Sequence, residues 1–354
     1  MKILIVKRDK IGDLLLTTPL IAHLHRALPD ATIHVLANDY NEWVVADNPH
    51  VARVWVYHRT RHAGAVRVTA AFGQLRQLFA LRAERFDVAI AAGGEESPRA
   101  IRRAVAARAA RTIAYVAGAR RYRGLTDPLP LPQAGHEAQR IMGLVAPLGV
   151  VTPVALPDPA FRVPAEWRAG AARWLAGIGF AAGRYVVIGI SARVPAMQPT
   201  KAQVERWAQR LHDRYGLATA LQSTPGGADN KLYPGSEALA REILAVAPPY
   251  LRLMPDGLPA AVGIIDLART SVLPESGLMH LAAVSPGGVV AVWADAALHS
   301  TSARWGPLGP RAAVVNAPHA IAELDDAAVF AALAPRLEGP AAVAGVAADR
   351  RGGR

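Results

Sequence analysis

The chain has 354 residues, 52% of them hydrophobic and 19% charged, so it can bury a sizeable core, and disorder of the whole chain is excluded. It has no cysteine, which excludes disulfide scaffolds, cysteine-based zinc sites and thiol catalysis. The formal net charge of +12 lies mainly in residues 1–150, which hold 21 Lys and Arg against 12 Asp and Glu. This excess predicts an anionic partner, unless it reflects only a coding bias towards Arg and Ala.

Short apolar runs alternate with helical patterns through the first half. Strands are predicted over 2–6, 31–36, 53–56, 86–91 and 111–116, and helices over 14–26, after a tight loop at Gly12 and Asp13, and over 66–81 and 133–148. Pro19 is expected in the first turn of its helix or at a kink. Strands that alternate with helices are typical of a parallel, doubly wound sheet.

The same alternation restarts after residues 150–164, a proline-rich segment that we interpret as a linker. Helices are predicted over 165–177, 201–215, 236–246, 259–269, 277–284 and 320–336. Strands are predicted over 185–190, 218–222, 271–273 and 288–293, with the last of these closing the second sheet. We therefore expect an N-terminal domain over 1–160, a C-terminal domain over 161–338 and a disordered tail over 339–354.

The apolar N-terminus ends after six residues at Lys7, Arg8, Asp9 and Lys10, so it predicts neither a signal peptide nor a membrane span. A cytoplasmic location is expected. The basic first half also suits peripheral contact with an anionic membrane surface.

Gly12 and Asp13 directly follow the first predicted strand. A carboxylate at the carboxyl edge of a parallel sheet would suit a general base that takes a proton from an attacking hydroxyl. An Asp that caps the N-terminus of the next helix would have the same sequence signature. These residues alone leave both interpretations open.

Two further groups of residues follow predicted strands of the second half. Glu275, Ser276 and Gly277 open a helix whose free N–H groups would hold a phosphate, and His280 lies one turn further along. Glu275 would bind ribose hydroxyls or cap the helix, and His280 would contact the phosphate or be a core histidine.

The second group runs from Ser191 to Lys201, where a cation would stabilise a departing diphosphate. An exposed lysine at the start of a helix is the alternative. No D-x-D pair and no H-E-x-x-H sequence occurs, and the eleven histidines show no ligand spacing, so no metal is expected.

These motifs, in this order, resemble the heptosyltransferase family of bacterial lipopolysaccharide assembly, which is glycosyltransferase family nine. The N-terminal K-I-L-I-V-K-R-D-K-I-G-D-L-L-L-T-T-P-L is similar to the opening of that family, whose hallmark is G-D-x-L-x-T-x-P. F-D-V-A-I at 86–90, H-E-A-Q-R-I-M-G-L-V-A-P-L-G at 136–149, S-G-L-M-H-L-A-A at 276–283 and R-W-G-P-L-G-P at 304–310 resemble its later blocks. The resemblance covers nearly all of the chain up to about residue 335.

The resemblance implies an α/β chain of the GT-B class, with two Rossmann-like doubly wound domains facing across a cleft. It implies a metal-independent, inverting transfer of heptose from ADP-heptose to an anionic lipopolysaccharide-core glycolipid, with no cofactor. Asp13 matches the general base, Lys201 the lysine facing the donor diphosphate, and Gly277 and His280 the phosphate-binding helix start. Ser191, Glu275 and Ser276 are placed with the donor. Gly12 and a set of arginines are assigned to the acceptor: Arg59, Arg61, Arg120, Arg121 and Arg123.

Three departures from the family pattern concern the donor half. Glu275 stands where the family has Asp, K-A-Q-V at 201–204 replaces K-x-W-P, and S-T-P-G-G-A-D-N at 223–230 replaces a glycine-containing acidic stretch. They leave open a related transferase that uses another sugar nucleotide or a protein acceptor. The high isoelectric point is also compatible with a non-enzymatic nucleic-acid binder. No recognition motif supports that hypothesis, so no nucleic-acid partner is expected.

Overall fold

A computed structural model describes residues 1–57, 61–62, 65–66, 68–118, 121–227, 229, 234–294 and 301–339. The chain divides into two compact units. Unit 1 comprises Met1–Arg162 together with Ala303–Leu308, and unit 2 comprises Val163–Ser302 with the chain from Gly309 onwards. The division after Arg162 lies inside the proline-rich segment 150–164.

Unit 1 is built on a parallel six-stranded sheet in the order β3-β2-β1-β6-β7-β8. The strands of this sheet are β1 (Lys2–Val6), β2 (Thr32–Asn38), β3 (Arg53–Tyr57), β6 (Val88–Ala91), β7 (Arg111–Val116) and β8 (Asp127–Pro130). A separate antiparallel pair consists of β4 (Arg61–His62) and β5 (Ala65–Val66). The helices of unit 1 are α1 (Ile11–Leu15), α2 (Thr18–Ala27), α3 (Trp43–Ala46), α4 (Val68–Ala83), α5 (Pro98–Ala106) and α6 (Glu137–Met142), the last continued by a 3₁₀ turn over Gly143–Leu148.

Unit 2 repeats the architecture with a parallel sheet in the order β11-β10-β9-β12-β13-β14. Its strands are β9 (Tyr185–Gly189), β10 (Ala218–Gln222), β11 (Leu251–Leu253), β12 (Thr270–Pro274), β13 (Val289–Ala294) and β14 (Ala312–Ala317). Its helices are α7 (Ala165–Gly177), α8 (Lys201–Tyr215), α9 (Glu237–Leu244), α10 (Leu258–Leu267), α11 (Gly277–Ala283) and α13 (Asp326–Leu337), while α12 (Ser302–Trp305) begins where the chain passes into unit 1.

Both sheets have the strand order of a Rossmann fold. In each, the strands are added first on one side of the first strand and then on its other side. The switch point lies between β1 and β6 in unit 1 and between β9 and β12 in unit 2. The central strands are buried on both faces, which explains their continuous runs of Ile, Leu and Val. The doubly wound α/β class predicted from the sequence is confirmed.

Several predicted elements need correction. The prediction that 288–293 is the last strand was wrong, because β14 pairs with β13 over six residues. The helix expected over 14–26 is two helices, with Pro19 in the first turn of the second, as predicted. Gly12 and Asp13, expected in a tight loop, lie in the first helix. The last helix begins at Asp326, with Asp325 as its N-cap, and not at residue 320. The tail over 340–354 lies outside the described residues.

No helix among the described residues is both long enough and apolar enough to cross a membrane.

A buried histidine in the core of unit 1 predicts loss of stability in acid. The Nδ1 atom of His34 accepts a hydrogen bond from Trp55 Nε1 at 3.1 Å, and its ring meets Phe86 edge-on. Burial lowers the pKa of His34, outweighing the rise caused by Glu84. The stabilisation that neutral His34 provides is therefore complete above the ordinary histidine pKa of about 6.5. It is lost as the pH falls from there through the lower pKa of His34 in the folded state.

We expect the urea midpoint of unit 1 to fall between about pH 7 and about pH 5, and to fall less in His34→Gln, whose amide oxygen still accepts from Trp55. Urea titrations at a series of pH values measure this. The exposed His319, changed to Gln, controls for the loss of a histidine as such. An equal acid decline in wild type and His34→Gln would contradict the prediction.

Candidate active site

The loop after β1 is held by two buried asparagines at the end of β2. Asn38 Nδ2 donates to the carbonyl oxygens of Arg8 and Asp9 at 2.6 and 3.1 Å. Asn41 Nδ2 donates to the carbonyl oxygens of Asp9 and Lys10 at 3.2 and 3.3 Å. Three consecutive carbonyl groups are thus fixed at the carboxyl edge of the sheet, where ligands bind in folds of this kind. Sequence reasoning missed both asparagines.

Asp13 is the third residue of α1, directly behind this loop. Its Oδ2 atom accepts a hydrogen bond from the backbone N–H of Lys10 at 3.2 Å, and its Oδ1 atom lies 3.6 Å from Lys7 Nζ. The N-cap of α1 is Lys10, so the interpretation of Asp13 as the N-cap was wrong, although its carboxylate does bond to the helix start. With its side chain 18% exposed and both oxygens oriented, Asp13 remains reachable by a small polar group.

Lys7 is a buried cation beneath this carboxylate, only 2% exposed. Its ammonium group lies 3.4 Å from Asp9 Oδ2 as well as 3.6 Å from Asp13 Oδ1. Burial alone would lower the pKa of Lys7, but the charges of Asp13, Asp9 and Glu137 outweigh it and raise that pKa above its usual value. Lys7 therefore stays protonated at neutral pH and fixes the orientation of two carboxylates.

A second buried charge lies on the other side of the switch point. The side chain of Glu137, 2% exposed, accepts from the Gly94 N–H at 2.8 Å through Oε1 and from Arg304 Nη2 at 3.0 Å through Oε2. A Cβ atom at Gly94 would lie 2.5 Å from Glu137 Oε2 and 2.8 Å from Arg140 Cβ, so any larger residue there would displace the Glu137 carboxylate. Arg304 also pairs with Glu95 at 2.9 Å.

His136, next to Glu137, ties the same segments of unit 1 together. Its Nδ1 atom accepts from the Ala138 N–H at 3.2 Å, so Nε2 carries the proton and donates to the Gly306 carbonyl oxygen at 2.9 Å. Burial lowers the pKa of His136 more than the Gly306 carbonyl and Glu137 raise it. A neutral histidine and a charged arginine thus attach residues 304–306 to the start of α6.

Two of the arginines assigned to the acceptor line a basic pocket of about 640 Å³ beside α5. Arg102 and Tyr122 line the same pocket as Arg121 and Arg123. Arg59 and Arg120 lie outside the described residues, and Arg61 is described only by its backbone in β4. Arg102 was not singled out from the sequence.

In unit 2 the residues assigned to the donor follow the strands that flank the second switch point. Ser191 comes just after β9 and belongs to a cluster of hydroxyl groups: its Oγ lies 2.6 Å from Ser236 Oγ, which lies 2.9 Å from Ser223 Oγ. The Thr224 N–H donates to Ser191 Oγ at 2.7 Å. Ser223 and Ser236 were not predicted, because their proximity to Ser191 depends on the pairing of β9 with β10.

Glu275 directly follows β12, and Ser276 is the N-cap of α11. Ser276 Oγ accepts from the Met279 N–H at 3.2 Å, and Gly277 is the first helical residue. His280 is largely buried in the same helix. The structure therefore places these four residues within six positions of the chain at the carboxyl edge of the second sheet.

Lys201 is the first residue of α8, after the N-cap Thr200, whose Oγ1 atom accepts from the Gln203 N–H at 3.2 Å. Its ammonium group lies 3.7 Å from Glu205 Oε1, and its side chain is 40% exposed. Such an exposed pair is weak, so the ammonium group can exchange Glu205 for a stronger anion. Among the described residues, no group of three or more His, Asp or Glu side chains has metal-binding geometry.

The fold of the chain is shared with solved glycosyltransferase structures. A glycosyl transferase of family 9 from Veillonella parvula has a TM-score of 0.75 at 17% identity, covering 95% of this chain and 97% of its own. The ADP-heptose LPS heptosyltransferase II of Escherichia coli has a TM-score of 0.70 at 20% identity, covering 96% and 99%. The E. coli heptosyltransferase WaaC with ADP has a TM-score of 0.71 at 20% identity, covering 95% and 100%.

No protein-family model matches the chain, and no curated protein matches it by sequence. The structural likeness establishes the fold, which is the GT-B class of two Rossmann-like units in one chain. That part of the sequence prediction is confirmed.

Proposed function

We propose that the protein belongs to the heptosyltransferase family and transfers a heptose from ADP-heptose to an anionic lipopolysaccharide-core acceptor. One observation carries the proposal: a carboxylate oriented by Lys7 and Lys10 stands at the carboxyl edge of the first sheet. The shared fold with E. coli heptosyltransferases, one of them with ADP, supports the assignment. The G-D-L-L-L-T-T-P sequence at 12–19 adds to it.

In the proposed reaction Asp13 takes the proton from an acceptor hydroxyl group. The hydroxyl oxygen forms a bond to the anomeric carbon while the bond from that carbon to the nucleotide diphosphate breaks, and ADP leaves with the electron pair. Attack from the face opposite the nucleotide inverts the configuration through an oxocarbenium-like transition state. This route assigns no step to a metal ion or a cofactor.

The residues of unit 2 are proposed to bind the donor. The N–H groups at the start of α11 and the hydroxyl group of Ser276 would bind the diphosphate, and His280 follows three residues after Gly277. Lys201 would exchange its weak pairing with Glu205 for the departing diphosphate. Glu275 and Ser191 are assigned to the nucleoside.

The residues of unit 1 are proposed to bind the acceptor, beside Gly12 and Asp13. The basic pocket that contains Arg121 and Arg123 suits acidic substituents, since arginine forks bind phosphates and carboxylates. Arg59, Arg61 and Arg120 remain proposed members of this set. A glycolipid acceptor would bring the protein to the cytoplasmic face of an anionic inner membrane.

A related transferase with another sugar nucleotide or a protein acceptor is the second candidate. It is favoured by Glu275 in place of aspartate and by the Ser191, Ser223 and Ser236 hydroxyl cluster, in a region where the sequence departs from the family pattern. Such a change would alter contacts to the nucleoside or the sugar and leave the base chemistry intact.

A panel of sugar nucleotides, followed by thermal shift at fixed salt, tests the proposal. A ligand that binds only the native state raises the melting temperature, by roughly 5–10 °C at a hundredfold excess over Kd. We expect ADP and ADP-heptose to do so, and Lys201→Ala to weaken the shift by removing the cation. Arg214→Ala, which removes an exposed cation from the other end of α8, is the matched control.

A shift with only a UDP- or GDP-sugar would retain the transferase and replace heptose as the donor. No shift with any nucleotide would overturn the proposed function.

A further inference from the structure

Two half-buried arginines lie against one tyrosine at the carboxyl edge of the first sheet. Tyr57 is the last residue of β3, and its hydroxyl oxygen accepts from Arg8 Nε at 3.2 Å. The guanidinium group of Arg103, on α5, lies 3.9 Å from the centre of the Tyr57 ring. Tyr57 is 3% exposed and packs in the core, so it fixes the position of both cations.

Neither arginine has an anionic partner among the described residues, where no carboxylate oxygen lies within 4.0 Å of either guanidinium group. The side chain of Arg103 makes no hydrogen bond there, and the side chain of Arg8 uses only its Nε atom. Other arginines of unit 1 are paired, as Arg111 is with Asp127 and Arg304 with Glu95 and Glu137. The terminal donors of Arg8 and Arg103 are therefore available to a ligand.

Arg8 and Arg103 bring two like charges to one tyrosine. Burial lowers the pKa of Arg103, Tyr57 raises it, and the neighbouring charge of Arg8 lowers it. An anion placed between the two guanidinium groups would remove that repulsion and supply acceptors for their free N–H groups. A group with two negative charges compensates both cations, whereas a carboxylate compensates only one.

We propose that Arg8 and Arg103 form a phosphate-binding subsite on Tyr57, which holds a phosphomonoester group of the acceptor. Arg8 lies in the same loop as Lys7 and is fixed through its carbonyl oxygen by Asn38. A phosphate held there would anchor the acceptor beside Asp13, so these arginines are positioning residues with no part in bond making. The identity of the molecule carrying the phosphate rests on the proposed glycosyl transfer, whereas the phosphate site itself does not.

Inorganic phosphate and glucose 6-phosphate are the probes, titrated by calorimetry into the purified full chain at constant ionic strength. Saturating ADP is kept present, so that any diphosphate site in unit 2 is occupied. We expect saturable binding of both probes to the wild type. Arg8→Gln and Arg103→Gln are each expected to raise the dissociation constant about tenfold or more, as loss of a charge-assisted hydrogen bond predicts.

Arg99→Gln is the matched control, because Arg99 is an exposed arginine on the same helix as Arg103. It is expected to bind both probes like the wild type. Arg103→Lys keeps the charge without the fork and is expected to recover part of the affinity. Circular dichroism and the ADP thermal shift check that each variant is folded.

Two results would overturn the subsite: no saturable phosphate binding by the wild type, or equal binding by the wild type and the Arg8→Gln/Arg103→Gln double variant. The proposed function fails separately. If the wild type binds phosphate but no nucleotide, the phosphate-binding subsite stands and the proposed glycosyl transfer is rejected.

Discussion

Replacing Arg304 with alanine is expected to lower the free energy of unfolding of unit 1 by about 3–5 kcal/mol, the cost of leaving a buried charge without its partner. Arg304 donates to Glu137 Oε2 through both Nε and Nη2, at 3.2 and 3.0 Å. Of its partners among the described residues, the Glu137 carboxylate, 2% exposed, would keep the Gly94 N–H and the more distant charge of Lys7. Urea unfolding followed by signals from unit 1 measures the loss.

A double-mutant cycle separates this pair from general damage. Glu137→Gln keeps the acceptor for Gly94 and removes the charge, so Arg304→Ala should cost much less in that background. The exposed pair of Arg241 and Glu237 provides a matched control, since Arg241→Ala is expected to cost less than about 0.5 kcal/mol. Equal costs of Arg304→Ala in both backgrounds would show that the buried charge is not the reason.

The central strands and longest helices of both sheets could be predicted because their sequences are dominated by local signals. β1, β7, β10 and α8 have the predicted bounds. Strands buried on both faces are continuous apolar runs, and α8 carries a capping box at Thr200 with Gly216 in the left-handed region at its end. Such patterns require no knowledge of the rest of the fold.

The missed elements lie where those signals are weak. β8 reads Asp-Pro-Leu-Pro, and two prolines argue against a strand unless it is at a sheet edge, which is where β8 lies. β14 lies at the corresponding edge of the sheet in unit 2, with Val314 and Asn316 exposed. α5 buries mainly small residues, Ala100 and Ala104 beside Ile101, between arginines, so its apolar face is narrow.

The candidate site divides in the same way. Asp13, Ser191 and Glu275 could be found because each follows a recognisable strand, and the carboxyl ends of parallel strands lie at one edge. Glu137 and Arg304 are 167 positions apart, so neither could be identified as half of a buried pair. Both residues lie inside motifs that resemble the heptosyltransferase family, H-E-A-Q-R and R-W-G-P. Those motifs are the feature of the sequence that could have identified Glu137 and Arg304 as candidate site residues.

Replacing Asp13 with asparagine is expected to reduce turnover by roughly 10²–10⁴-fold, the usual contribution of a general base. The amide has nearly the same shape, and its oxygen can still accept from the Lys10 N–H, so the helix start is kept. Donor binding should be unchanged, because the donor residues are assigned to the second sheet. Initial rates with ADP-heptose and a lipopolysaccharide-core acceptor, beside ADP thermal shifts, measure both quantities.

Asp9→Asn distinguishes the loss of a base from a disturbance of Lys7. Asp9 lies 3.4 Å from the buried ammonium group, against 3.6 Å for Asp13, and both carboxylates raise the pKa of Lys7. If Asp13 acts only by compensating Lys7, the two variants should lose activity to a similar extent. If Asp13 takes the proton, Asp9→Asn keeps most of the turnover, because its carboxylate has no place in the proton transfer. Turnover of Asp13→Asn within about threefold of the wild type would exclude Asp13 as the base, since that is well below what a general base contributes.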